Sequence, residues 1–466
     1  MDKDSAERAY WDLTIRGLPT SLETLRALYG YLQAEYETGE EPRLPNRPVL
    51  DEAQLEAVRL QRLRAMAGHA ARQTVYYREV FAAAGLDPAE LTWESFKRLP
   101  TTPKAHLRDR GADFVAEDAQ PAYCSFTGGT TGGKPTALWW SEHEFEQTVA
   151  IQNIQGMLGG GIDSDIGLIA ADSTQFLSVT VNSRAAARIG DAVIWGRLHS
   201  ADATLDQLMQ VHRLGRRRMK PSTLTTFPSY WGRLVEAGRR RGARPADFGL
   251  RFVILGGEVL TSGLLRRAKE VFGELPTYDV YGASELWGAG GSFRCPGGRF
   301  HFGHGAHFEF LSPDTFQTAA PGTVATMVAT CLPPARETTL LLRYDTEDLF
   351  EVHDQPDACS FGSSAIGAMM GKRSLSLRHP DGHWTYPRQV LEGLEDMDEV
   401  PLPARCGFWA RDDAVVVEVV APGAGAQARA RIAESLERQG IRLAALHLRD
   451  RPDALERPYP RRCDGR

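Results

Sequence analysis

The sequence lacks close cysteine pairs. Its six cysteines (Cys124, Cys295, Cys331, Cys359, Cys406 and Cys463) are scattered with no C-x-x-C spacing, which argues against a disulfide framework or zinc ribbon and for reduced thiols. It also lacks a basic excess. Lys and Arg total 54 against 60 Asp and Glu, a formal net charge of −6, so no basic surface marks nucleic acid or anionic lipid as a partner. No run of 18 apolar residues occurs, and the opening MDKDSAERAYWDL has no apolar core of a signal peptide. The expectation is a soluble, cytoplasmic protein that works on small molecules. Beyond Lys372 there is no lysine at all, although arginines continue to the end.

What is present is an ordinary globular composition. With 466 residues, 42% hydrophobic and 24% charged, the chain is too long for a single core, so more than one domain is expected. About the first 120 residues form a helical lead-in. Asp51 with Gln54 three residues later suits a capping box, and Leu55, Val58, Leu63, Met66 and Ala70 mark one helical face. Short apolar runs at 166–171, 192–195, 223–227, 252–255 and 278–281 alternate with helical stretches such as 262–272, the pattern of parallel βαβ layers. Gly and Pro near 290–350 suggest a small β-rich subdomain. A strand at 414–420, a helix at 426–438 and a strand at 443–448 then suggest a compact α+β unit. The fold class expected is α/β, with a large N-terminal domain (1–370) and a small mobile α+β C-terminal domain (371–466).

The densest local chemistry is Thr127-Gly128-Gly129-Thr130-Thr131-Gly132-Gly133-Lys134-Pro135. Backbone amides and hydroxyls with so little side-chain bulk suit a polyphosphate. The spacing nearly satisfies the Walker A signature, but Pro135 stands where a Ser or Thr should hold magnesium. Proline also disfavours helical geometry at Lys134, and residues 136–140 look extended, whereas a Walker loop runs straight into a helix. A plain Gly-rich turn is the bland alternative.

The loop resembles the T-S-G-T-T-G-K-P signature of the adenylate-forming superfamily, which includes acyl-CoA synthetases, peptide-synthetase adenylation domains and luciferases. Three further segments follow in the order of that family: "RFVILGGE" ending in Gly256-Gly257-Glu258, "YDVYGASELWG" with Tyr281-Gly282-Ala283-Ser284-Glu285, and "LLRYDTEDLF" with Asp348. The segments "VYYREVF", "FKRLPTTPKAHLRD" and "CPGGRFHFGHGAHFEFLSP" look like the phenylacetate-CoA ligase branch. "HWTYPRQVLEGLE" resembles the entry to the C-terminal domain, where a proline precedes a helix carrying Glu392. The resemblance implies that residues 127–134 embrace the β- and γ-phosphates of ATP and that the Gly256–Gly257–Glu258 turn lies against adenine. It implies that Tyr281 packs on the adenine, with Gly282 and Ser284 in the same motif, that Glu285 helps hold Mg2+, and that Asp348 accepts from the ribose hydroxyls. Lys372 is a further nucleotide-site candidate.

Three departures stand out. The family carries a lysine near its C-terminus that serves the α-phosphate, and here "LERPYPRRCDGR" offers only Arg457, Arg461, Arg462 and Arg466. Arg462 is the first substitute considered, joining Glu285 and Thr130 as candidate catalytic residues, although a guanidinium does not simply replace an ammonium. Glu347 replaces the glycine before the ribose aspartate, and the hinge reads Gly371-Lys372-Arg373-Ser374 without the usual aspartates. Cys295, His301, His304 and His307 raise a metal site weakly, for want of a second close cysteine.

The resemblance implies ATP-dependent activation of an acid, in the first place an aromatic carboxylate, with pyrophosphate release and transfer to coenzyme A. An amide-forming ligase, a nitrite-activating enzyme acting on an aryl amine, and a degenerate nucleotide-binding protein are the alternatives. Expected partners are an aryl acid or amine and, optionally, a second copy of the chain, with no nucleic acid and no membrane.

Overall fold

The computed structural model describes residues 1–14, 23–24, 27–28, 30–31, 34, 52–127, 135–158, 166–171, 176–188, 190–286, 291–359, 362–451 and 461–462. Asp51 and the loop 128–134 therefore lie outside the described residues. Among those described, no helix is long and apolar enough to cross a membrane.

Among the described residues of the first 120 are the helices Glu52–Gln73, which carries the predicted apolar periodicity, Val75–Ala84 and Lys104–Asp109. Leu55, Leu63, Met66 and Ala70 are buried on one face. The Thr74 hydroxyl caps the second helix by accepting from the Tyr77 amide. Tyr76, Tyr77 and Phe81 then pack into one core with Leu340, Leu341, Leu342 and Tyr344, more than 250 residues later. The backbone continues this contact. Thr102 pairs with Tyr344 in an isolated parallel bridge, its amide donating to Arg343 O at 2.7 Å and its carbonyl accepting from Asp345 N at 3.0 Å. Lys104 is thereby brought beside the "RYDTED" segment.

Seven strands form the central sheet, in the spatial order Phe300–Phe302, Ser292–Arg294, Thr277–Tyr281, Phe252–Gly256, Thr223–Thr226, Ile166–Ala170 and Ala192–Trp195. The last five are mutually parallel. Ile166–Ala170 is buried along its whole length, as a parallel strand covered on both faces must be. The helix Ser262–Phe272 has the predicted bounds, because Thr261 accepts from Leu264 N at its start and Gly273 closes its end. A second, antiparallel sheet joins Ala306–Leu311, Val324–Cys331, Tyr344–Cys359 and Gly362–Lys372. Gly371 and Lys372 still pair there, opposite Leu349 and Asp348, so the chain leaves this sheet only at Arg373.

The C-terminal unit has the helix Pro387–Glu395, with proline at its first turn, and a sheet ordered Leu443–Arg449, Ala414–Val420, Cys406–Arg411 and Arg461–Arg462. Its helix packs on Ser262–Phe272 through polar groups that are mostly buried. Glu392 accepts from the amide and hydroxyl of Ser262 at 2.9 and 2.6 Å, placing an anion at that helix's N-terminus. Glu395 accepts from Thr261 Oγ1 at 2.5 Å and from Ala404 N at 3.1 Å. Arg267, 1% exposed, donates to Val400 O at 2.8 Å, to Met397 O at 3.2 Å and to Glu236 Oε1 at 2.7 Å. Gly263 allows the approach: a Cβ there would lie 2.5 Å from Asp396 N.

Candidate active site

The strand Thr277–Tyr281 ends in a single turn of 3-10 helix, Ser284–Leu286, which turns Glu285 inward until it is 4% exposed. Tyr344 Oη donates to Glu285 Oε1 at 2.9 Å, and Lys104 Nζ lies 3.1 Å from the same oxygen. Arg336 Nη2 donates to the Glu285 carbonyl at 3.1 Å, fixing the backbone. Burial alone would raise the carboxyl; the ammonium groups of Lys104 and Lys372 overcome it and hold the pKa at about 2.

Asp348 stands beside this carboxylate. Tyr281 Oη donates to its Oδ2 at 2.8 Å and Lys372 Nζ to its Oδ1 at 2.6 Å. Strand register explains the second contact, since Asp348 and Lys372 face each other across the antiparallel ladder. The Tyr281 ring meets Phe302 and Phe350 edge-on, at 6.1 and 5.2 Å between centroids. Glu347 has φ +61, the left-handed backbone that glycine adopts without cost. Its amide donates to Asp345 Oδ1 at 3.0 Å, and Arg373 holds the other oxygen of Asp345 at 2.5 Å.

In the Gly256–Gly257–Glu258 turn, Gly257 has φ +79. Glu258 is directed onto the start of the helix Pro228–Arg241, accepting from Ser229 N at 2.7 Å and Ser229 Oγ at 3.0 Å. Burial pushes its pKa up to about 8 against those hydrogen bonds. Folded Glu258 therefore keeps its proton where the unfolded chain, near 4.5, has lost it. Stability from this carboxyl is present at pH 4.5 and lost as pH rises towards 8. Urea titrations of wild type and Glu258→Gln at pH 5 and pH 8 should show the variant gaining relative stability at the higher pH. An equal difference at both would put Glu258 back in the ordinary carboxylate range.

The phosphate loop is described only at its base, where Thr127 N donates to Thr136 O at 3.0 Å and Thr136 N to Thr127 Oγ1 at 3.2 Å. Gly128, Gly129, Thr130, Thr131, Gly132 and Lys134 lie outside the described residues. Arg462 is placed by its backbone only, in a two-residue strand beside Phe408 at the edge of the C-terminal sheet. The structure thus sets two groups side by side, Glu285 with Tyr344 and Lys104, and Asp348 with Tyr281 and Lys372, within reach of each other's charge, and leaves Glu258 on a neighbouring helix end.

The sequence model of the AMP-binding enzyme family matches residues 52–305, more than half of the chain. The chain belongs to that family. Within it, the chain is 27% identical to the phenylacetate-coenzyme A ligase of Thermus thermophilus, over 76% of this chain and 78% of the relative. It is 28% identical to the enzyme of the same name from Pseudomonas putida, over 64% and 68%. Among solved structures, 2-hydroxyisobutyryl-CoA ligase in its postadenylation state shares the fold, with a TM-score of 0.69 and 19% identity over 87% of this chain and 88% of that one. An anthranilate CoA ligase bound to anthranoyl-AMP follows at 0.54 and 15%, over 73% and 67%. The chain is an AMP-forming ligase of the adenylate-forming superfamily, in the phenylacetate-CoA ligase-like branch, with the expected mixed α/β fold.

Sequence reasoning missed three residues of this candidate site. Lys104 and Tyr344 lie within segments that carry the family resemblance, but nothing in their spacing marks them as partners of Glu285. Arg336, fully buried with its guanidinium 3.7 Å from the Trp140 ring centroid, was not legible at all. Among the described residues no group of three or more His, Cys, Asp or Glu gathers as a metal site. His304 Nδ1 lies 3.3 Å from Arg59 Nη2, and His307 packs on Trp93. The magnesium implied by the family asks for less. Such an ion is ordinarily held by one or two carboxylates together with the phosphates that carry it, and Glu285 supplies one buried carboxylate.

Proposed function

We propose that the chain uses ATP to activate a carboxylic acid, in the first instance an aromatic one, and passes the acyl group to coenzyme A. The observation that carries this reading is the placement of two buried carboxylates near one another, Glu285 held by Tyr344 and Lys104 and Asp348 held by Tyr281 and Lys372. Asp348 is suited to the ribose diol, since a carboxylate accepts from both hydroxyls. A substrate carboxylate oxygen forms a bond to the α-phosphorus, the bond to the bridging oxygen breaks, and pyrophosphate leaves with the electron pair. Magnesium, when bound at Glu285, would neutralise phosphate charge. Four relatives named as phenylacetate-coenzyme A ligases and a structural neighbour bound to anthranoyl-AMP support an aromatic acid.

The lysine-free tail favours a second reading, in which the activated species is captured by an amine or the activated oxyanion is nitrite. One measurement separates them: pyrophosphate release with phenylacetate, anthranilate, an aryl amine and nitrite, each with and without coenzyme A. Release that depends on an acid, with coenzyme A consumed, is expected. Release that needs nitrite or an amine and ignores coenzyme A would replace the first reading with the second.

A further inference from the structure

We infer that Lys104 is a catalytic residue that supplies, from the N-terminal lead-in, the positive charge on the α-phosphate that the lysine-free tail does not. The inference rests on the adenylate-forming reading and adds a residue to it.

Three observations converge. The first is position: Lys104 Nζ is 3.1 Å from Glu285 Oε1, and its charge is also felt by Asp348 and Glu347. On the proposed reading the ribose lies at Asp348. The α-phosphate is tied to the ribose by one methylene and one oxygen, so it must fall close to Asp348, whose charge already acts on Lys104. The second is availability. Lys372 is committed to Asp348 at 2.6 Å and Arg373 to Asp345 at 2.5 Å, both in contacts that order the ribose-side strand. The Lys104 side chain retains 25% exposure and shares its carboxylate oxygen with Tyr344. Tyr344 would keep its hydrogen bond to the carboxylate if the Lys104 ammonium turned onto a non-bridging phosphate oxygen.

The third is rigidity. Lys104 follows Thr102, whose backbone is paired on both sides with the strand holding Tyr344 and Asp345. A cation fixed to the same scaffold as the ribose carboxylate needs no domain movement to reach the phosphate. A charge held there through bond formation stabilises the oxygens of the pentavalent phosphorus as they gain charge, whereas one on a mobile tail must first be ordered.

The test compares AMP with adenosine, which differ only in the α-phosphate. Calorimetry on Lys104→Met should show AMP affinity falling at least about tenfold with adenosine affinity unchanged, the loss expected for one charge-assisted hydrogen bond. A merely structural role would weaken both together. Lys104→Gln keeps an amide donor for Glu285, and serves if the methionine variant does not fold. With the acid that gives pyrophosphate release in wild type, the same variants should release it at least about a hundredfold more slowly. An unchanged AMP-to-adenosine preference in a folded Lys104 variant overturns the inference. So does loss of that preference in Arg462→Ala but not in Lys104→Met, which would return the charge to the tail. If wild type binds neither AMP nor ATP, the adenylate-forming reading itself has failed, and the two failures are thereby distinguishable.

Discussion

Glu285→Gln will slow pyrophosphate release at least about a hundredfold while ATP still binds measurably. The carboxylate is 4% exposed and held ionised by Lys104 and Lys372, an arrangement that opposes the cost of its burial. An amide keeps the shape and the Tyr344 hydrogen bond but removes the charge that would face magnesium. Losing one electrostatic contact made to the developing phosphorane costs roughly 2.7–4 kcal/mol, or two to three powers of ten in rate. ATP binding draws on the loop and on Asp348 as well, so it should fall far less. Single-turnover pyrophosphate release with calorimetric ATP binding checks both halves. Activity within about threefold of wild type would remove Glu285 from the reacting centre. The same change alters acid stability. The folded Glu285 pKa is about 2 against 4.5 in the unfolded chain, so its contribution is present above pH 4.5 and lost as pH falls towards 2.

Arg267→Met should lower unfolding stability by about 3–5 kcal/mol, the largest loss expected from a single change outside the site. Breaking a buried ionic contact on one side leaves the partner charge and acceptors without compensation. Here the stranded groups are the carbonyls of Val400 and Met397 on the C-terminal unit, at its seam with the helix Ser262–Phe272, while Glu236, on the helix Pro228–Arg241, loses its cation but keeps its hydrogen bond from Leu402 N. Urea titration followed by tryptophan fluorescence and by circular dichroism measures the loss. A change under about 1 kcal/mol would mean that water replaces the guanidinium at no cost.

The elements of this fold were legible where one residue type settles a local choice. Thr261 and Gly273 bound the helix Ser262–Phe272, and the unbroken apolar run Ile166–Ala170 announces a strand buried on both faces. The family motifs marked Tyr281, Glu285 and Asp348 because each belongs to a contiguous pattern. Lys104 was not legible, because its relation to Glu285 spans 181 residues and depends on one backbone bridge between Thr102 and Tyr344. Spacing within a segment carries no record of such a bridge. Glu258 illustrates the converse. Its motif is local, but the destination of its side chain is set by Ser229 on another helix. The seam was hidden for a third reason: Arg267, Glu392 and Glu395 are charged residues on amphipathic helices, and in sequence they read as solvated faces.

That seam has a bearing on how such a chain could be recombined. The C-terminal unit is attached by the peptide chain leaving Lys372, by the contacts of Glu392, Glu395 and Val400 with Ser262, Thr261 and Arg267, and by those of Arg378 with Asp314 and Leu402 with Glu236. A chimera cut at the linker and completed with another protein's C-terminal unit would present Arg267 to a foreign surface, with Gly263 shaped for a backbone no longer there. The transplantable module is therefore larger than the segment that follows the linker. It includes the turn at Thr261 and the helix behind it, and a graft that respects the fold would carry 261–272 together with 373 onward and keep Glu236, Gly232 and Asp314 to receive it.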